Sequence, residues 1–220
     1  MSPRRKPFLI GLGVLLVLAA TITTFLLQGG GDGPVKRALR GEGGSIGDGV
    51  AEPATPPFQF QTTKRVLVPT SRGHLRRREK IASKRVSAVA AGLLSDFYAE
   101  AFLDPVNWQH ARYADAFSIF SSGAVRQARA RETVLTAGPD AAARFEQILP
   151  VSGRLITRIL LDRTGKPALI ESVVRFKAMG VGPEPATLRS DGRFLFKRQD
   201  GRWKVVSFLV TRNDTRSEAG

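Results

Sequence analysis

The chain has 220 residues, a formal net charge of +15 and no cysteine. Less its apolar N-terminal run and the segment that follows, that length leaves material for one ordinary domain. Without cysteine there is no disulfide framework, thiol nucleophile or thiolate metal site, so any folded domain rests on its core alone.

From Phe8 to Leu27 twenty residues carry no charge, and at about 1.5 Å rise per residue they make a helix of roughly 30 Å, one bilayer core. A cleaved signal peptide usually has a shorter apolar region of about 7 to 15 residues, and Ala19 and Ala20 lie inside the run rather than at its exit. Length therefore favours a retained transmembrane anchor over 8–27. A cleaved, secreted domain is the competing reading. Arg4, Arg5 and Lys6 precede the span, and the positive-inside rule makes residues 1–7 a cytoplasmic tail. Because no second long apolar run follows, the expectation is a single-pass protein of the cell membrane, with its N-terminus cytoplasmic and its C-terminal domain extracytoplasmic.

Residues 28–75 read as a flexible tether. GGGDG, RGEGGSIGDG and AEPATPPFQF are Gly/Pro-rich, with too few large apolar residues to offset the entropy of ordering, unless the Phe58-Gln59-Phe60 patch docks somewhere. The charge is concentrated in a collar from Lys64 to Arg85, nine basic residues against Glu79 alone. Beyond a membrane such a collar can meet anionic lipid, wall polymer or an acidic partner, or simply be a solvated helix entrance. Arg72, Arg76, Arg77, Arg78 and Lys80 are the candidates for anionic-surface contact. No aromatic residue interrupts the collar, so nothing there could stack on bases and nucleic acid is not the expected partner.

A long helix is expected from about Arg76–Glu79, because Val86, Val89, Ala90, Leu93, Leu94, Phe97, Tyr98, Ala101 and Phe102 recur at threes and fours. It stops before Asp104-Pro105. A second helix from Asn107 offers Trp108, Ala111, Tyr113, Phe117 and Phe120 to a core. Ser121-Ser122-Gly123 ends it, a third helix spans Ala124 to Leu135, and Asp140 to Ile148 adds a turn or two. From Gly153 the pattern becomes a strand meander: RLITRILLD, then ALIESVVRFKAM, TLRSDGRFLFKRQ and RWKVVSFLVT. In the second of these Ile170, Ser172, Val174 and Phe176 share one face, and Glu171, Val173, Arg175 and Lys177 the other. Asp191-Gly192 marks a bulge or split, and Asp200-Gly201 a tight hairpin.

Helices first and strands afterwards make an α+β domain, with about three helices packed on an antiparallel sheet. The order of LLSDFYAEAF, two shorter helices and the terminal hairpin GRFLFKRQDGRWKVVSFLV resembles the nuclear transport factor 2-like, or SnoaL-like, fold, a cone of helices against a curved sheet. It would span residues 76–212, with 213–220 a disordered tail. Anchored in this way, the chain is similar to mammalian-cell-entry-associated membrane proteins of actinobacteria and to anchored scaffold subunits of type IV secretion and conjugation machines. The resemblance implies an extracytoplasmic binding or scaffold protein, an accessory subunit of an envelope transport or secretion complex, with envelope proteins as partners and self-association through the sheet.

Such cones also host isomerases and dehydratases, so a small-molecule or lipid-binding cone is the alternative. Its polar groups would be Tyr98, His110, Tyr113 and Asp115, a donor and acid–base set only if all face inward. His110 and Asp115 point to different faces of a helix and form no local dyad, and Asp96 and Glu100 lie beside the apolar stripe. His74 and His110 are too far apart for a metal site, and no phosphate loop or nucleophile elbow is present. No cofactor, metal or catalytic residue is assigned. Trp108 and Trp203 fall at the period of a buried face and are expected in the core.

Overall fold

The computed structural model describes residues 57–68 and 76–216. The expected anchor, the cytoplasmic tail, most of the tether and residues 217–220 lie outside the described residues. The fold is α+β. Five strands form one sheet in the order β1-β2-β3-β4-β5. β1 (Gln61–Val68) pairs parallel with β2 (Gln147–Leu161), and β3 (Pro167–Val181), β4 (Ala186–Gln199) and β5 (Arg202–Arg216) continue as an antiparallel meander. Between β1 and β2 run α1 (Arg77–Tyr98), a π-helical turn (Ala99–Leu103), α2 (Pro105–Gln109), a 3-10 turn (Ala116–Ile119), α3 (Ser122–Ala130), α4 (Glu132–Leu135) and α5 (Ala141–Arg144).

The strands form where period-two alternation places one residue set inward. Leu155, Ile159, Ile170, Val174, Phe194 and Val205 are all fully buried. The inner face packs against α1, whose Ala90, Leu94, Phe97 and Tyr98 are at most 1% exposed. Among the described residues one helix, Arg77–Leu103, is long and apolar enough to cross a membrane by length and composition. A core helix passes the same test, and its apolar side is turned into this domain.

Several expectations need correcting. The sheet is mixed rather than antiparallel, because a strand from the presumed tether joins it. Residues 57–68 belong to the domain: Phe60 is 6% exposed, and its ring meets Tyr98 edge-on at 5.1 Å. Phe58 packs on Phe176 at 5.4 Å. These contacts need a residue without a side chain at 153, where a Cβ would come within 2.5 Å of Phe58.

The second helix is a single turn. Asp104, not Asn107, caps it by accepting from the Val106 N–H at 2.9 Å, with Pro105 in the first helical position. It ends in a Schellman arrangement: the Arg112 N–H donates to the Asn107 carbonyl at 2.8 Å while Ala111 sits at φ 50°. Ser121 opens the third helix instead of closing the second, accepting from the Ala124 N–H at 3.2 Å. That helix breaks at Arg131 into α3 and α4. Asp191-Gly192 makes no bulge, since β3–β4 pairing passes through it unbroken; the irregularity lies in β4–β5, between Leu195 and Phe196. β2 starts at Gln147, before Gly153, and β5 runs past 212 to Arg216. At the expected hairpin Asp200 and Gly201 have φ 48° and 77°, as a primed turn requires.

Candidate functional site

The space between α1 and the sheet, where a cone would hold a ligand, is filled by aromatic rings. Tyr98 stacks on Phe102 at 5.3 Å and meets Phe97 and Phe176 at 5.3 and 5.0 Å. Phe97 in turn contacts Phe194 and Phe120. The Tyr98 hydroxyl is fully enclosed and shares a hydrogen bond with Ser190 Oγ at 3.0 Å. Burial drives its pKa well above the ordinary phenol value, so it stays a neutral group.

The four candidate ligand residues are not brought together. Tyr113 is 2% exposed, but its hydroxyl donates to the Gly138 carbonyl at 2.8 Å, away from Ser190, and burial pushes its pKa up to about 12. His110 ends α2 and Asp115 precedes the 3-10 turn, and both are exposed. Two tyrosines with satisfied hydroxyls and two solvated groups make no acid–base constellation. Glu100 titrates above the usual carboxylate range, through partial burial and the neighbouring Asp115, Asp96 and Asp104. No group of three or more metal-ligating side chains occurs among the described residues. Trp108 is buried as expected, yet its Nε1–H has no partner, nor do the hydroxyls of Ser83, Thr157 and Ser172.

A cleft of about 340 Å³ lies beside α5 and β5, lined in part by Asp140, Arg144, Arg212 and Asp214. Its charges are internally committed. Arg212 donates to Asp214 at 2.6 and 2.8 Å and to the Thr136 carbonyl at 2.6 Å, and Arg144 reaches Asp214 at 3.2 Å. Burial raises the Asp214 pKa, but the two arginines outweigh it and hold the carboxyl below the usual range. These bonds clamp β5 to the helical loops.

The basic candidates Arg76, Arg77, Arg78 and Lys80 are exposed at the start of α1, and Arg72 lies outside the described residues. Cations in a first helical turn oppose the macrodipole. Glu79 offsets this by accepting from the Arg76 N–H at 2.8 Å.

The outer sheet face carries a mixture of charged and apolar side chains. Strand register aligns Lys64, Ile156, Val173, Arg193 and Leu209 in one row, and Arg154, Arg175, Asp191 and Thr211 in the next. Glu171 faces this side, as its alternation requires, but is 6% exposed because Arg158 and Arg193 cover it at 2.9 and 3.3 Å. Both arginines are thereby paired with the one carboxylate. Apolar side chains stand exposed in the first of these rows, Ile156 at 36% and Leu209 at 62%, and again beyond Lys177 and Arg189, where Leu149 and Met179 pair at 44% each. The alternation of ALIESVVRFKAM signals this face, whereas the cross-strand alignment needs the register.

No protein-family model matches this chain, and no curated protein matches it. The functional reading therefore rests on the residues themselves.

Proposed function

We propose that this chain is a single-pass, membrane-anchored extracytoplasmic binding protein, a scaffold or accessory subunit of an envelope transport or secretion complex. Its folded part is read as a nuclear transport factor 2-like domain, on the order of a long helix, short helices and a terminal meander. The anchor over 8–27 fixes location, the Gly/Pro-rich segment sets reach, and the sheet's outer face engages another protein. The observation that carries this reading is the filled interior. Tyr98, hydrogen-bonded to Ser190 and packed among Phe97, Phe102 and Phe176, takes up space between helix and sheet where a cone would hold a substrate. Exposed apolar side chains on the opposite face are what a protein-binding surface presents.

Membrane fractionation of the full-length chain, with intact-mass analysis and crosslinking, tests the reading. It predicts an unprocessed chain in the membrane fraction, recovered in a discrete complex. A chain beginning after Leu27, free in the medium and carrying a small molecule, would favour the ligand-binding cone instead.

A further inference from the structure

On the outer face two like-charged pairs stand directly opposite one another across neighbouring strands, Arg154 with Arg175 and Lys177 with Arg189. Like charges at such positions destabilise a sheet. None of the four makes an ion pair among the described residues; Asp191 stands opposite Arg175 and is the one acidic residue within these two rows. The nearby arginines around Glu171 show how this sheet pairs a cation when it does so. Four cations against one carboxylate, between two exposed apolar edges, leave a surface ladder with an excess of positive charge.

We propose that this ladder docks an acidic protein segment, with Arg154, Arg175, Lys177 and Arg189 meeting its carboxylates and Leu209 and Met179 packing on apolar residues beside them. The inference rests on the binding role proposed above and names the chemistry of the partner. Charge decides against a second copy paired through the same face, because it would set one cationic ladder against another. A lipid surface is the other anionic partner: Phe176, Phe194 and Phe196 all point inward, so β3 and β4 put no aromatic ring on the outer face to seat at a membrane interface, and vesicle binding in the test below separates the two. Single-stranded nucleic acid would find no ring on these strands to stack on. Carboxylates suit paired guanidinium groups, which bind them bidentately.

The test uses the full-length chain in neutral phosphatidylcholine nanodiscs, with labelled poly-L-glutamate as the probe at physiological ionic strength. Arg175→Glu combined with Arg189→Glu weakens binding by about tenfold or more, while Arg76→Glu with Arg78→Glu, on the collar, changes it by about twofold or less. Arg175→Gln combined with Arg189→Gln provides the same comparison, with a smaller loss, where charge reversal lowers the thermal midpoint. Equal losses from sheet and collar variants overturn the proposal. So does binding to phosphatidylglycerol vesicles with the same dependence on Arg175 and Arg189, or a dimer in sedimentation that those substitutions dissolve. Crosslinking in native membranes separates the two levels of the account. A complex that survives the sheet substitutions overturns this docking surface and leaves the scaffold reading standing, whereas no complex from the unaltered chain overturns the scaffold reading itself.

Discussion

Tyr98 on α1 and Ser190 on β4 share a buried hydrogen bond at 3.0 Å that joins the helix to the sheet across the centre of the domain. The two residues are 0% and 1% exposed, so neither hydroxyl can turn to water instead. Tyr98→Phe removes one partner and strands the other. It should cost about 1–2 kcal/mol in urea unfolding, while the double variant with Ser190→Ala should recover about half of that. Tyr98→Ala, which also empties ring volume, should cost about 3–5 kcal/mol.

Ala111 occupies a left-handed position that usually belongs to glycine, with φ 50° and an exposed side chain. Ala111→Gly should therefore stabilise the domain by about 0.5–1 kcal/mol, seen as a rise of a few degrees in the thermal midpoint. The gain is net of the extra freedom that glycine gives the unfolded chain.

The clamp on β5 predicts an acid limb in stability. Asp214 has a folded pKa held below its unfolded value, about 3.9, so its contribution is fully present above that value and is lost as pH falls through the folded pKa. Asp214→Asn should cost about 1–3 kcal/mol at neutral pH. The difference from the unaltered chain should close as the solution is acidified below the unfolded value and through the folded pKa. A difference that stays constant throughout the acid limb would contradict the assignment.

The docked segment before α1 makes a prediction about boundaries. Phe60→Ala should cost about 3–4 kcal/mol, because the ring is buried against Tyr98. A chain beginning at Arg76 would lose β1 as well as Phe58 and Phe60, and expose the β2 edge and the ring of Phe176. It should unfold at lower temperature and aggregate, as measured by thermal melting and light scattering.

These boundaries escape a reading of the sequence where a segment's partners lie elsewhere in the chain. Period-two alternation made the meander legible, and threefold and fourfold recurrence made α1 legible through Ala90, Leu94 and Phe97. β1 reads QTTKRVLV, with two charged residues and Gly/Pro-rich chain before it, and its reason to fold lies far along the chain, in its pairing with β2 and in Phe176 and Gly153, on which the preceding Phe58 packs. Nothing in Ala111 announces a left-handed turn, so Trp108, Tyr113, Phe117 and Phe120 read as one helix, although α2 ends at Gln109 and the 3-10 turn begins only at Ala116. Alternation puts Glu171 on the outer face, but its burial comes from arginines on β2 and β4, which only the register brings beside it. The candidate site failed for a related reason. Tyr98 and Tyr113 do point inward, but their hydroxyls are taken by Ser190 and the Gly138 carbonyl, partners that no spacing reveals.

The central claim is that this domain binds through the outside of its sheet and not through its interior. The most direct measurement is site-specific photo-crosslinking of the full-length chain in intact cells, from Leu209 on the outer face and from Gly92, where a side chain would meet open space on α1. The account predicts a discrete protein adduct from position 209 and none from 92. Adducts from neither position, together with a small molecule retained by the purified domain, would contradict it.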